Sequence, residues 1–226
     1  MIGRLTGIRT LVYAELGRLS MYRLVLLALD ALIVIAFVLA LLGLVVPTGA
    51  ELLVSAVVLA GACLLTDLIG HRLIGRQLRF ESSLITASIL LFVLRPTIEP
   101  IGLAGLVIAA AVACASKYLL VWRGRHIFNP AAVGATVVTI VATVLPLDAG
   151  IGSSAWWVGS PILLVPVLVL GIIVAWRTEK LAVVSLFLLV ALVVTTIRVG
   201  VQYQQAGLEL SLGDAAWQML SASPFV

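Results

Sequence analysis

The stretch KYLLVWRGRHIFNPAAVGAT, residues 117–136, interrupts a chain that otherwise consists almost entirely of Leu, Val, Ile and Ala. Four basic or potentially basic side chains crowd into its first half, and an Asn-Pro pair follows directly. Asn is a favoured N-cap residue and Pro a favoured first helical residue, so Asn129 and Pro130 predict the start of a helix. The stretch therefore predicts a polar turn between two apolar helices.

The composition indicates that these helices lie in a membrane. The chain has 226 residues, 63% of them hydrophobic and 11% charged, and its mean hydropathy is +1.26. A soluble domain is about half apolar and about a quarter charged, so lipid must solvate this chain. Cys63 and Cys114 lie in apolar runs and are interpreted as small core residues. The sequence has no CxxC, HExxH, P-loop or GxGxxG pattern, and no catalytic or metal-ligating residue is predicted.

Seven apolar segments predict an all-α polytopic membrane protein, because backbone in lipid must hydrogen-bond within each segment. They are residues 24–46, 52–69, 83–94, 101–122, 128–145, 157–176 and 181–199. The third segment is short and ends before Pro96. It is either a half-helix or re-entrant element, or a full span that draws Phe80 and Ser82 into the membrane.

The distribution of Lys and Arg predicts the orientation. With the N-terminus in the cytoplasm, twelve of the 14 Lys and Arg residues fall inside, and only Arg95 and Arg198 fall outside. This bias predicts a multi-pass protein of the cell inner membrane with a cytoplasmic N-terminus and an external C-terminus. It also explains the net charge of +4 without a nucleic-acid partner. Trp122, Trp157 and Trp176 fall at predicted span ends, where interfacial rings are favoured.

Asp30, Asp67 and Lys117 are charged residues that lie well within the apolar spans. Asp30 lies about 10 Å into the first span, where a carboxylate must face protein or water. It is either an ion- or proton-pathway group or a carboxyl group hydrogen-bonded to a neighbouring helix. Asp67 is expected to reach the interface or to pair with Arg72. Lys117 can extend its stem to the cytoplasmic side or pair with an acidic cofactor.

Two predicted helix starts lie at the cytoplasmic edge. The helix that starts at Asn129 follows Arg123 and Arg125, and a helix N-terminus beside cations can bind an anion. Ser82 and Ser83 are expected to cap the third helix. Transporters and membrane cofactor sites aim helix N-termini at one membrane level in this way. The alternative is a set of charges that only sets topology, followed by an ordinary helix start.

Four segments, in their order and spacing, resemble the D subunit of Rnf electron-transport complexes and the similar B subunit of the sodium-translocating NADH:quinone oxidoreductase. They read MYRLVLLALDALIVIAFVL (21–39), ESSLITASILLFVLRPT (81–97), SKYLLVWRGRHIFNPAAVGA (116–135) and WWVGSPILLVPVLVLG (156–171). The resemblance implies two inverted five-helix repeats, similar in fold to ammonium and urea channels. It divides the chain into a cytoplasmic segment (1–20), a first repeat (21–146) and an incomplete second repeat (147–226), and the last three helices are expected to be missing.

The resemblance also implies a flavin, FMN or riboflavin, and electron transfer within a complex that moves sodium ions or protons. Asn129 matches the family block, and the polar edge adds Arg123, Arg125, Lys117 and Ser82 as candidate cofactor-binding residues. Many members attach FMN to Thr in a Ser-Gly-Ala-Thr motif. The matching stretch here, DAGIGSSAWWVG (148–159), contains no Thr, so the flavin is expected to be non-covalent.

The expected partners are the lipid bilayer and the other membrane and peripheral subunits of a redox complex, or a fused C-terminal redox domain. The alternative function is that of a channel, a transporter or a structural membrane subunit that keeps the fold without flavin.

Overall fold

The computed structural model describes residues 20–75, 79–122, 125–144 and 154–205, without the side chains of residues 125, 199 and 202–205. This part of the chain is mainly helical, as the composition predicts. Its helices are α1 (Met21–Leu41), α2 (Gly49–Ile74), α3 (Phe80–Val93), α4 (Pro100–Leu119), α5 (Pro130–Val144), α6 (Pro161–Arg177) and α7 (Leu181–Gln205). Strands β1 (Val121–Trp122) and β2 (Arg125–His126) form an antiparallel hairpin between α4 and α5.

Four of these helices are long and apolar enough to cross a membrane: α1, α2, α4 and the Leu181–Arg198 portion of α7. The other three, α3, α5 and α6, are shorter apolar helices of 14, 15 and 17 residues. The chain therefore has the character of a membrane-embedded helical protein. The count of seven crossings and the inverted repeat stay predictions.

The chain divides into two compact units, Met1–Val158 and Gly159–Val226. The first contains α1 to α5 and the hairpin, and the second contains α6 and α7. Every described side chain of α7 is exposed or half-buried. A helix that is apolar all round in this way requires lipid or another apolar surface around it.

Helices α4 and α5 cross closely in the first unit. Ala109, Ala113 and Val138 are fully buried there. Gly134 of α5 lies directly on α4, because a Cβ atom added to it would stand 2.3 Å from the carbonyl oxygen of Ala109. Small residues at such crossings allow two apolar backbones to approach closely, which is how helices in lipid gain packing energy.

Helix α3 is short, and the chain that follows it is extended rather than helical. Its 14 residues span about 21 Å, less than the hydrocarbon core of about 30 Å. The chain then runs extended, and the hydroxyl of Ser55 on α2 bonds both the N–H and the C=O of Thr97, at 2.9 and 3.0 Å. Ser55 thus satisfies two backbone groups of the extended segment that follows α3.

A second set of partners for α3 comes from a distant segment of the same unit. The indole Nε1 of Trp157 donates to the carbonyl of Leu91 at 2.7 Å, and the N–H of Ala155 donates to the carbonyl of Val93 at 2.8 Å. Trp157 is 8% exposed and lies against Phe92, with ring centroids 5.8 Å apart. Trp157 is therefore packed within the protein, and its predicted place at the membrane interface stays a prediction.

Alternating helix directions bring five helix ends to one edge of the first unit. Arg23 at the start of α1 pairs with Glu81 at the start of α3, at 3.6 Å. The ends of α2 and α4 meet the start of α3 through the side chains of Asp67, Lys117 and Ser83. The hairpin and the start of α5 follow directly on the end of α4. This level is called the hairpin edge.

Candidate functional site

A buried ion pair joins α2 to α4 close to the hairpin edge. The ammonium Nζ of Lys117 lies 2.8 Å from the carboxylate Oδ2 of Asp67. Asp67 is 3% exposed and Lys117 is 6% exposed. Asp67 lies about 10 Å of helix before the end of α2 at Ile74. Charges are rarely buried at such depth in membrane proteins, and those that are commonly mark a functional site.

The helix ends around the pair favour both charges. Lys117 lies in the last turn of α4, where the negative end of the helix dipole stabilises a cation. Asp67 faces the first turn of α3, where the positive end of the dipole stabilises an anion. The hydroxyl of Ser83 in that turn donates a short hydrogen bond to Oδ2 of Asp67. The sequence thus places each charge at the helix terminus that suits it.

Further oxygen atoms surround the ammonium group. Lys117 Nζ also donates to the main-chain carbonyl of Ser82 at 3.3 Å. The hydroxyl of Tyr118 donates to the main-chain carbonyl of Asp67 at 3.1 Å, and its ring covers Gly70, where a Cβ atom would clash with it. The second carboxylate oxygen of Asp67, Oδ1, is buried and has no hydrogen-bond partner among the described residues.

One turn deeper, two thiols lie beside the pair. Cys63 on α2 and Cys114 on α4 are fully buried, unoxidised and within hydrogen-bonding reach of each other. The prediction that both cysteines are core residues is confirmed. Among the described residues, no group of three or more His, Cys, Asp and Glu side chains is arranged to hold a metal ion.

Several sequence-based expectations for this cluster are wrong. Lys117 does not extend to the membrane surface, and Asp67 pairs with Lys117 rather than with Arg72, because the α2–α4 contact brings the two opposite charges to the same depth. Ser82 and Ser83 do not cap α3. The helix begins one turn earlier at Phe80, with Arg79 in the N-cap position and no side-chain cap, because the Ser83 hydroxyl bonds to Asp67 instead.

The hairpin edge also contains the predicted Asn129 site. The amide Oδ1 of Asn129 accepts from the N–H of Ala131 at 3.1 Å, so the predicted cap and the start of α5 at Pro130 are confirmed. Asn129 is exposed. Arg123 and the side chain of Arg125 lie outside the described residues, so their predicted roles stay predictions.

Asp30 lies apart, on α1. It borders a cleft of about 180 Å³ between α1, α2 and α3. The other residues that line the cleft are Ile33 of α1, Ala56 and Ala60 of α2, and Leu84, Ala87, Ser88 and Leu91 of α3. Asp30 is exposed on this cleft, and Ser88 is the buried polar residue among its neighbours. This placement agrees with the expectation that Asp30 faces protein or water, and its role in an ion pathway stays a prediction.

Of the predicted site residues, the structure brings Lys117 and Ser82 into contact, and it adds Asp67 and Ser83. A signal for this cluster was present in the sequence. Asp67 and Lys117 have opposite charges, lie near the ends of successive full-length helices that finish at the same edge, and are too deep to be solvated separately. Pairing opposite charges that lie at the same predicted depth in the membrane would have identified Asp67 and Lys117 as partners.

Comparisons of the chain with protein-family models, with curated proteins and with solved structures found no match. The resemblance to the Rnf D subunit therefore stays a prediction based on the four segments.

Proposed function

We propose that this chain is a membrane subunit of a flavin-dependent electron-transport complex, of the Rnf D type, with a coupled movement of sodium ions or protons. The observation that carries the proposal is the position of the Phe128–Ala131 block. The family-like sequence starts α5 at the same edge as the buried Asp67–Lys117 pair. A cofactor site and an ion-handling site would thus lie at one membrane level.

The residues around α5 suit a flavin. Trp122 in strand β1 and Phe128 just after strand β2 are 68% and 61% exposed, and such rings can stack on a planar isoalloxazine. The cap uses the amide oxygen of Asn129 and not its NH₂ group, which is a donor for a ring carbonyl. When bound, the flavin would supply the electron-transfer chemistry. The protein would orient it and set its electrostatic environment.

The first test is the absorption spectrum of the purified full-length protein before and after acid precipitation. We expect a flavin spectrum that moves entirely into the supernatant, since no acceptor Thr lies in residues 148–159. Flavin that remains with the precipitate would contradict the non-covalent assignment. Absence of flavin from folded protein would contradict the proposal itself.

The second test separates capping from recognition at Asn129. Asn129→Ser keeps a capping oxygen and removes the NH₂ group, whereas Asn129→Ala removes both and costs about 1 kcal/mol of capping. We expect both variants to lose flavin. If Asn129→Ser keeps a full flavin-to-protein ratio, Asn129 acts only as a cap.

The third test concerns the two arginines of the hairpin. Replacing Arg123 and Arg125 with Lys preserves positive charge but removes the planar guanidinium groups. We expect flavin affinity to fall about tenfold, equivalent to about 1.4 kcal/mol. Arg72→Lys is the matched control at the same edge, and we expect it to have no effect. Equal flavin-to-protein ratios in all variants would indicate that the positive charges of Arg123 and Arg125 serve only to set the membrane topology.

The alternative candidate is a channel or transporter subunit without flavin. The buried Asp67–Lys117 pair favours it, because such pairs in membrane helices mark ion and proton paths. Ion movement in proteoliposomes of flavin-free protein would distinguish this function from the first.

A further inference from the structure

We propose that the cleft beside Asp30 is a binding site for a small primary amine, whose ammonium group pairs with the Asp30 carboxylate and whose apolar body fills the cleft. The inference goes beyond the proposed function and depends on neither flavin nor ion movement. It follows from two polar side chains of the cleft that have no partner in the described part of the chain, and from the size and apolar character of the walls.

Asp30 lies near the middle of an apolar helix. It is the tenth residue of α1, so about 14 Å of helix separates it from Met21 and about 17 Å from Leu41. It forms no hydrogen bond or ion pair with any residue that the structure describes. Ionisable side chains at such depth almost always pair with one another or with backbone carbonyls, or face water. A cationic ligand would supply the partner that the described residues do not.

A second polar group lines the same cleft. Ser88 of α3 is 7% exposed, and its hydroxyl has no hydrogen-bond partner among the described residues. The nearby hydroxyl of Thr86 differs, because it donates to the carbonyl of Ser82 in its own helix at 2.8 Å. A buried polar group without a partner is costly, and a hydroxyl can accept a hydrogen bond. The cleft thus offers an exposed carboxylate and a buried acceptor to one ligand.

The chemistry of these groups favours an organic ammonium ion over a metal ion. Of the eight described residues that line the cleft, only Asp30 and Ser88 have polar side chains, whereas hard cations take about six or more oxygen ligands. None of these eight residues is aromatic, and aromatic cages are what recognise quaternary ammonium groups. A primary ammonium group has three N–H donors, enough for the carboxylate and the hydroxyl together.

The volume of the cleft limits the apolar body of the ligand. The cleft measures about 180 Å³, and its walls are narrow side chains such as Ala56, Ala60 and Ala87 together with Ile and Leu residues. An apolar cavity of about 150 Å³ is large enough to bind benzene. The cleft therefore fits one six-membered ring, or a branched chain of similar volume, joined to the ammonium group by a short link.

The test uses the full-length protein in detergent micelles at neutral pH, with 4-fluorobenzylamine as the probe in fluorine NMR. Three unlabelled competitors share its ring: benzylamine, the uncharged benzyl alcohol, and benzyltrimethylammonium, which has the charge but no N–H donor. We expect benzylamine to displace the probe with a Kd about tenfold or more below that of either other compound, because only it forms charged hydrogen bonds. Empty micelles give the partition of each compound into detergent.

Two outcomes of this series would overturn the proposal. Equal affinity of benzylamine and benzyl alcohol would show that the cleft recognises the ring alone. Absence of probe binding beyond that of empty micelles would show that there is no amine site. Benzyltrimethylammonium that binds as tightly as benzylamine would overturn the assignment of a primary amine.

Variants locate the site. Asp30→Asn removes the charge and keeps the shape of the side chain, and we expect it to weaken benzylamine binding about tenfold or more. Ala60→Leu keeps the charge and fills the cleft, so binding should also be lost. Glu99→Gln removes a carboxylate outside the cleft, at the N-cap of α4, and should leave binding unchanged. Protection of the buried cysteines from a thiol reagent checks the folding of each variant. Binding that survives Asp30→Asn or Ala60→Leu would overturn the location.

The flavin content of the same samples separates this proposal from the previous one. A flavin-free protein that binds benzylamine in this way would contradict the electron-transfer function and support the amine site. A flavoprotein that binds no benzylamine would do the reverse.

Discussion

Replacing Gly134 with Ala tests the close crossing of α4 and α5, which positions both Lys117 and Asn129. The added Cβ would lie 2.3 Å from the carbonyl oxygen of Ala109 and 2.8 Å from the Cβ atom of Ala113. Carbon and carbonyl oxygen atoms in contact are ordinarily about 3.3 Å apart, so the two helices must separate by about 1 Å. Backbone cannot yield as a flexible side chain does, and the variant is expected to be destabilised.

The size of the destabilisation by Gly134→Ala can be isolated with a matched control variant. Overpacking of a well-packed crossing costs about 1–3 kcal/mol. Ala in place of Gly within a helix contributes about 0.5–1 kcal/mol in the opposite direction. Gly61→Ala in α2 receives the same contribution without the clash, because a Cβ atom there meets nothing within 4 Å. The difference between the two variants therefore isolates the packing effect, and Gly134→Ala should be about 1–3 kcal/mol less stable than Gly61→Ala.

The chain contains its own probe for this measurement. Its two cysteines, Cys63 and Cys114, are fully buried in α2 and α4. Reaction with a thiol-specific fluorophore during titration with SDS in mixed micelles therefore reports loss of packing around them. Equal SDS midpoints for Gly134→Ala and Gly61→Ala would show that α4 and α5 do not approach as closely as described, and would remove the basis for the geometry at the hairpin edge.

Three further predictions use the same protein. Asp67→Asn or Lys117→Met alone should destabilise the protein by about 3–5 kcal/mol, because each leaves a buried charge uncompensated. The double variant Asp67→Asn/Lys117→Met should recover most of this loss. Additive losses in the SDS titration would contradict the ion pair. Ser55→Ala should cost about 1–3 kcal/mol by removing the partner of the extended segment. Ser116→Ala should cost less, because the Ser116 hydroxyl donates to the carbonyl of Ala113 in its own helix. A reporter fused after Gly207 should behave as external, and cytoplasmic activity there would show that a span is miscounted.

Much of the helical architecture could be predicted from the sequence. Each of the seven apolar segments corresponds to one helix, and the Asn129 cap was identified from two residues, because capping depends only on local backbone geometry. The short third segment was recognised from its length and from Pro96, although the choice between a half-helix and a full span remained open. Local features of this kind do not require knowledge of tertiary contacts.

The candidate site could not be assembled in the same way. Asp67 and Lys117 are 50 positions apart, and each has a plausible local alternative, a neighbouring arginine for one and the membrane surface for the other. Only the α2–α4 contact decides between the local and the distant partner. The same holds for Trp157, whose indole N–H bonds to the carbonyl of Leu91, 66 positions earlier, a partner that its position at a predicted span end did not indicate.

The distant partners of α3 bear on the order in which the chain enters the membrane. The carbonyls of Leu91 and Val93 are satisfied by Ala155 and Trp157, which a ribosome synthesises only after α4 and α5. Until then the end of α3 has exposed polar backbone and too little apolar length to remain in lipid by itself. The end of α3 is therefore expected to reach its final packing only after α4, α5 and the Trp157 segment have been synthesised.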